Sequence, residues 1–228
     1  GLLDRNGRVI SAVTLNNDYE ALMQEDWVHS GMRLKLQQIN DMLQGLDDST
    51  SVSITSADQL TRELFTYRGA GTLVRKGEGI TVIEEPDAGI LADVAQRVEA
   101  SFGRTLRPGW AESLREAVIL LSDTRRAAAV VVRGQDDIPY LEKFIVTPEA
   151  QGEGLGAAMW QVLRARYPQL YWRSRNQNPI TPWYFLQADT SERHGPWVVF
   201  CNSVNDPVQR DRVVKEALDR DPGWEPQT

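Results

Sequence analysis

The sequence is short of several features, and each absence narrows the possible classes of protein. It has one cysteine, Cys201, so an internal disulfide and a cysteine-rich zinc site are excluded. It has no apolar run of about 18 residues and no basic segment followed by an apolar core, so neither a membrane helix nor a signal peptide is predicted. Acidic residues outnumber basic ones, for a net charge of −7, and this balance argues against a nucleic-acid-binding protein.

What is present fits a globular chain of 228 residues, long enough to bury a core. The first residues, GLLDRNGRVI, include no methionine, and we interpret the chain as part of a longer one. A polar, glycine-rich run at 75–79 is the predicted boundary between two units. After it, the order of apolar segments predicts strands, a crossover helix and more strands, which is an α/β fold with a mixed sheet. Within that order, Asp87 is a predicted helix cap and Gly103 a predicted helix stop.

One turn combines a strand, a proline and three glycines. Pro148 ends an apolar strand, and Gly152, Gly154 and Gly156 then open an apolar helix. Glycine lets a ligand approach the backbone closely, and the free N–H groups of a helix start favour an anion. The Gln151 side-chain amide can add a further donor. An unliganded strand-to-helix turn is the alternative.

The segment Gln151-Gly-Glu-Gly-Leu-Gly156 resembles the Q/R-x-x-G-x-G/A signature of the GNAT acyltransferases. The resemblance implies a GNAT fold, acetyl-CoA or CoA as the bound cosubstrate, and no metal. It implies that turn amides hold the pyrophosphate and that the preceding strand pairs with the pantetheine arm. The implied cofactor-binding residues are Phe144, Ile145, Val146, Gln151, Gly152, Gly154, Leu155 and Gly156.

Arg173 and Arg175 are two residues apart, so on a continuous strand they share a face. Two neighbouring guanidinium groups suit carboxylates. A pair of surface arginines is the alternative. Lys143 lies in the middle of an apolar strand and requires a partner or a ligand. Because strand neighbours alternate, Glu142 and Lys143 are expected on opposite faces.

The stretch WRSRNQNPITPWYF, with YLEKF and QGEGLG, resembles the acetyltransferase domain of the N-acetylglutamate synthases and of bifunctional bacterial synthase/kinases, over residues 80–203. The resemblance implies transfer of an acetyl group from acetyl-CoA to L-glutamate, giving N-acetyl-L-glutamate, in arginine biosynthesis. It assigns Lys143, Arg173, Arg175 and Asn178 to the substrate, and Tyr184 and Asn178 to catalysis beside the thioester. Tyr184 as a core aromatic is the alternative. The base is open between Glu142 and a water chain.

Residues 1–77 resemble the end of an amino-acid-kinase domain of the acetylglutamate kinase type, and residues 78–228 are the predicted acetyltransferase domain. The resemblance lies in Gly31-Met-Arg-Leu-Lys35 and in the segment from Glu63 to Thr72. It implies Glu63 and Gly69 as contacts to an arginine effector. The kinase's glycine-rich loops and catalytic lysine are missing, so no kinase activity is expected from this chain.

Two other functions remain open. One is an arginine-sensing regulatory module with a degenerate acetyltransferase, and the other is a GNAT enzyme for another acidic amine. A homo-oligomer in the bacterial cytoplasm is expected, with the mitochondrial matrix as the second choice of compartment. Membrane and nucleic-acid partners are not expected.

Overall fold

A computed structural model describes residues 1–46, 50–59, 71–151 and 154–226. The chain divides into two compact units, Gly1–Gly79 and Ile80–Thr228, and each is described by itself. Among the described residues, every helix is too short or too polar to cross a membrane.

In its described residues, the first unit has a small three-stranded sheet and two helices. Its elements are β1 (Ala12–Thr14), α1 (Leu15–Gln24), α2 (Ser30–Gln44), β2 (Ser51–Ile54) and β3 (Thr72–Arg75). The sheet order is β1-β3-β2, with β1 parallel and β2 antiparallel to β3. Leu36 and Leu43 of α2 are fully buried in the core of this unit with Val74 of β3. The sequence of segments 50–55 and 71–75 predicts strands, and the structure confirms both. The sequence also predicts a short helix at 60–66, which lies outside the described residues.

The second unit is built on a seven-stranded mixed sheet. Its strands are β4 (Ile80–Ile83), β5 (Val118–Ser122), β6 (Ala127–Arg133), β7 (Pro139–Val146), β8 (Leu170–Arg175), β9 (Thr190–His194) and β10 (Trp197–Asn202). Their order is β4-β5-β6-β7-β8-β10-β9, and β7–β8 is the parallel pair. The α/β class with a mixed sheet is therefore confirmed.

Four helices cover this sheet: α3 (Ala88–Phe102), α4 (Leu155–Arg166), α5 (Thr181–Gln187) and α6 (Pro207–Asp219). The Asp87 carboxylate accepts a hydrogen bond from Ile90 N at 2.8 Å, so it caps α3 as predicted. Gly103 follows α3 with φ of 60°, the left-handed conformation that ends helices, which confirms the predicted stop.

The two faces of the sheet carry different helices. Face 1 includes Phe144 and Trp172 and packs against Met159 of α4 in one apolar core. Face 2 includes Ile145, which packs with residues of α3, and Tyr171, which packs with residues of α6. The candidate site residues that lie on strands can therefore each be assigned to face 1 or face 2.

A β-bulge in β7 breaks the alternation between the faces. Val130 pairs with Lys143 and the next residue, Val131, pairs with Leu141, so Glu142 is an extra residue. Lys143 Nζ and Glu142 Oε1 lie 2.6 Å apart. The prediction that these neighbours point to opposite faces was wrong, because it assumed an unbroken strand.

Candidate functional site

Strands β7 and β8 touch only where they begin. Their one bridge pair is Tyr140 with Tyr171, and no other residues of these fully described strands pair. Beyond it, β7 continues to Val146 and β8 to Arg175. The sheet is therefore split between two parallel strands, and backbone N–H and C=O groups there are available to an extended ligand.

The glycine turn lies at the open end of this split. Gly154 has φ of 83° and precedes the first residue of α4, a conformation that glycine adopts without strain. A Cβ on Gly156 would lie 3.2 Å from Cγ2 of Val146, so the helix start is packed against the end of β7. The Gln151 amide donates to Val146 O at 3.4 Å. The predicted contact Gly152 lies outside the described residues.

An aromatic cluster fills face 1 beside the split. The Phe144 ring is 5.7 Å from Trp160 of α4 and 6.1 Å from Trp183 of α5. Tyr184 packs 5.5 Å from Trp172, between centroids, and is 5% exposed. Burial raises the pKa of the Tyr184 hydroxyl well above its ordinary value, so it is a proton donor and not an anion. Tyr184 therefore lies in the aromatic core, which is the position that the alternative role of a core aromatic predicts.

The two arginines of β8 lie on face 2 and share a ring. The guanidinium carbons of Arg173 and Arg175 lie 4.2 and 4.5 Å from the centroid of Trp197. Trp197 is on β10, in register with Arg175. The expected common orientation of the two side chains is present, since both contact one ring.

Arg173 also has a structural role that the sequence did not reveal. Its Nη1 donates to the carbonyl oxygens of Ala217 and Leu218 at 2.6 and 3.1 Å, and its Nη2 donates to that of Arg220 at 2.6 Å. These carbonyls end α6, where a helix lacks internal donors. Local spacing around Arg173 holds no sign of this contact, because the partner lies more than 40 residues away.

Lys143 is held on face 2 by a carboxylate and two indole rings. Lys143 and Glu142 side chains are 8% and 10% exposed. The Lys143 Nζ lies 5.4 Å from the ring centroids of both Trp110 and Trp224, and 3.4 Å from Pro222 O. The partner required for a mid-strand cation is thus the neighbouring glutamate.

A cavity of about 360 Å³ opens beside Glu142 on face 2. Its lining includes the cations Arg107 and Arg220. Arg220 lies over the Tyr140 ring at 4.2 Å, 2.5 Å from Glu216 and 4.0 Å from Glu142. None of the lining arginines was predicted from the sequence. The dipeptide Arg-Pro at 107, for example, belongs to no motif that indicates a binding site.

Asn178 lies in the turn between β8 and α5. Its Oδ1 accepts from Ile180 N at 3.3 Å and its backbone N–H donates to Arg175 O at 3.0 Å. Ser174 and Thr181 hydroxyls, 2.9 Å apart, anchor α5 to face 1 of β8.

The predicted site residues fall on both faces of the sheet. Tyr184 lies on face 1, and Lys143 and the arginines lie on face 2, with the split between them. Within the described part of the chain, no cluster of three His, Cys, Asp or Glu side chains could hold a metal ion.

Comparison with known proteins shows the family of this chain. A family model described as "NAT, N-acetyltransferase, of N-acetylglutamate synthase" matches residues 84–220, which is more than half of the chain. The chain belongs to this family.

An acetylglutamate kinase of Xanthomonas campestris is 38% identical over 226 residues, covering 97% of this chain and 53% of the relative. The human mitochondrial N-acetylglutamate synthase is 37% identical over 207 residues, covering 88% of this chain and 38% of the relative. The chain thus spans about half the length of the bacterial relative, and less of the human one.

Solved structures similar to this one include acetyltransferases. N-acetylglutamate synthase from Neisseria gonorrhoeae, complexed with coenzyme A and N-acetyl-glutamate, superposes with a TM-score of 0.45 and 18% identity, covering 89% of this chain and 53% of that one. The ribosomal-protein-S18-alanine N-acetyltransferase from Escherichia coli superposes with a TM-score of 0.43 and 14% identity, covering 56% and 97%.

Proposed function

We propose that this protein transfers the acetyl group of acetyl-CoA to the α-amino group of L-glutamate, giving N-acetyl-L-glutamate and CoA. The observation that carries the proposal is the split between β7 and β8, with a glycine turn at its open end and a buried lysine and two arginines on face 2. This arrangement lets a thioester and a dicarboxylic amino acid approach the same gap from opposite faces.

On the acyl side, the residues present fit a coenzyme. Gly154 adopts the left-handed φ that a close turn requires, and a Cβ on Gly156 would lie in tight contact with Val146. The N–H groups at the start of α4 then hold the diphosphate, with the helix dipole favouring negative charge. Backbone groups of Phe144 to Val146 that face the split bind the extended arm, and Tyr184 donates a proton or hydrogen bond to the departing sulfur.

On the acceptor side, the charges fit glutamate. Arg175 offers guanidinium donors to one carboxylate, and Lys143 and Arg173 add positive charge on the same face. Glu142 is turned to this face by the bulge and is the group that we propose takes the amine proton. Positioning of amine and thioester can supply several kcal/mol, up to about 7–11 in favourable cases.

A panel of acceptors tests this function. The purified chain is incubated with acetyl-CoA and L-glutamate, L-aspartate, L-arginine or a peptide N-terminus, and acetylated product is measured by mass spectrometry. We expect N-acetyl-L-glutamate as the main product. A higher kcat/KM for another acidic amine would support the alternative of a GNAT enzyme that acts on that amine. Arginine binding without CoA binding would support the sensing module.

The properties of a longer parent protein are also proposals. Because the bacterial relative is named an acetylglutamate kinase and this chain spans 53% of it, we propose that the parent also has kinase activity, in a domain of which residues 1–77 are the end. We propose L-arginine as its effector and a homo-oligomeric assembly. The predicted arginine contacts Glu63 and Gly69 lie outside the described residues. We propose the bacterial cytoplasm as compartment because the bacterial relative aligns over 97% of the chain and the human one over 88%.

A further inference from the structure

Among the residues that the structure describes, none accepts a hydrogen bond from the indole N–H of Trp172. Trp172 is 1% exposed, and its Nε1 is fully buried without a hydrogen-bond partner. The residue directly follows Tyr171, whose bridge with Tyr140 closes the split. Trp172 is therefore placed at the closed end of the gap between β7 and β8.

The surroundings of this donor are aromatic. The ring centroids of Trp160, Phe200 and Tyr184 lie 5.1, 5.3 and 5.5 Å from that of Trp172. A phenylalanine in this position would keep part of the aromatic packing without a buried polar atom. Since an unpaired buried donor opposes folding, the N–H calls for an acceptor that arrives with a ligand.

The direction of the coenzyme identifies that acceptor. The start of α4, proposed to hold the diphosphate, packs against Val146 at the end of β7. From Val146 back to Tyr140 the strand extends about 20 Å at 3.3 Å per residue. An arm lying along it in that direction brings its thioester to the closed end, beside Trp172 and near Tyr184.

We infer that the Trp172 indole N–H donates a hydrogen bond to the thioester end of acetyl-CoA, at the acetyl oxygen or the sulfur. This inference rests on the proposed function. It gives the site a second side-chain donor beside Tyr184, one that cannot lose its proton at any pH the protein tolerates.

An isosteric replacement separates this donor from the packing of the ring. Site-specific β-(3-benzothienyl)alanine at position 172 keeps the ring shape and replaces N–H by sulfur. The unliganded protein should then unfold at a higher temperature, because the unpaired donor is gone. Its affinity for the stable analogue acetonyl-CoA, measured by calorimetry, should fall about tenfold, and its affinity for CoA should fall as well if the bond is made to the sulfur.

The same replacement at Trp27 is the matched control. Trp27 Nε1 donates to Glu25 at 2.7 Å in the first unit, so there the melting temperature should fall and CoA affinity should stay unchanged. Unchanged affinity of the position-172 variant for acetonyl-CoA would overturn the inference while leaving the proposed function intact. Failure of the unsubstituted protein to bind CoA at all would overturn both.

Nuclear magnetic resonance of the indole groups gives a readout that does not depend on activity. The Trp172 indole proton, assigned through Trp172→Phe, should move downfield and exchange more slowly with solvent when CoA or acetonyl-CoA is added. A larger effect with acetonyl-CoA assigns the bond to the carbonyl oxygen, and an equal effect assigns it to sulfur. An unmoved resonance in protein saturated with acetonyl-CoA would contradict the bond.

Discussion

Lys143 Nζ lies 2.6 Å from Glu142 Oε1, although the two residues are neighbours in one strand. Side chains of adjacent strand residues normally lie on opposite faces, and the bulge at Glu142 removes that separation. One extra residue in β7 therefore creates a buried ion pair on the face that carries Arg173 and Arg175. The proposed base and a proposed substrate cation are thus supplied by a single irregularity.

The first prediction concerns this pair. Glu142→Gln should lower kcat about 100-fold or more, because positioned bases contribute about 10²–10⁴. It should also destabilise the fold by about 1–3 kcal/mol, since Lys143 loses its charged partner. Urea unfolding and initial rates measure the two effects. The double variant Glu142→Gln/Lys143→Met should regain stability without regaining kcat; recovery of activity there would exclude Glu142 as the base.

Substitutions of the two arginines of β8 should differ in their effect on protein stability. Arg175→Ala should raise the KM for glutamate about 10- to 100-fold, the equivalent of one charged hydrogen bond, with little change in melting temperature. Arg173→Ala should raise this KM and also cost about 2 kcal/mol of stability, because the end of α6 loses three hydrogen bonds. The KM for acetyl-CoA should stay unchanged in both; an equal rise for acetyl-CoA would show that the substrate assignment is wrong.

Two left-handed glycines provide a matched pair for the coenzyme turn. Gly154 and Gly103 have φ of 83° and 60°, and alanine at either position should cost about 1–2 kcal/mol. Only Gly154→Ala should weaken CoA binding, because Gly103 lies at the end of α3 and a Cβ there meets no atom within 4 Å. Calorimetry with CoA measures the difference. Similar CoA affinities in the two variants would argue against the turn as the diphosphate site.

Three buried tyrosines predict a loss of stability at high pH. Burial raises the pKa of Tyr140, Tyr171 and Tyr184 well above the ordinary value. The stabilisation is complete below pH 10, where tyrosines of the unfolded chain stay neutral. Above pH 10 these tyrosines ionise in the unfolded chain. The free energy of unfolding then falls by about 1.4 kcal/mol per pH unit for each of them. Unfolding measured from pH 8 to 11 should show this decline, and it should be shallower in Tyr184→Phe. A pH-independent stability would contradict the burial of these hydroxyls.

The single thiol should be unreactive in the folded protein. Cys201 is buried, and burial raises its pKa to about 12. Because the thiolate is the reactive form, modification by a disulfide reagent at pH 8 should proceed only through unfolding, and its rate should level off at the unfolding rate at high reagent concentration. Denatured protein provides the control. Fast, concentration-dependent labelling of the native protein would show an accessible thiol.

Much of the local structure could be predicted from the sequence, because its determinants are local. Asp87 and Gly103 bound α3 by capping chemistry within one helical turn. The glycine spacing around Gly154 indicates a strand-to-helix turn for the same reason. The side-by-side orientation of Arg173 and Arg175 follows from the period of a strand, and both contact Trp197.

The tertiary structure alone decided where these pieces meet. The bulge at Glu142 depends on how β7 pairs with β6, and no periodicity within β7 records that pairing. The capping of α6 by Arg173 joins residues more than 40 positions apart, and the split beside Trp172 exists because β7 and β8 share one bridge. By itself, the sequence determined the α/β class, the glycine turn and the arginine pair, since these follow from backbone chemistry and side-chain period. The face, the partners and the ion pair were decided by strand register, which depends on packing between distant segments.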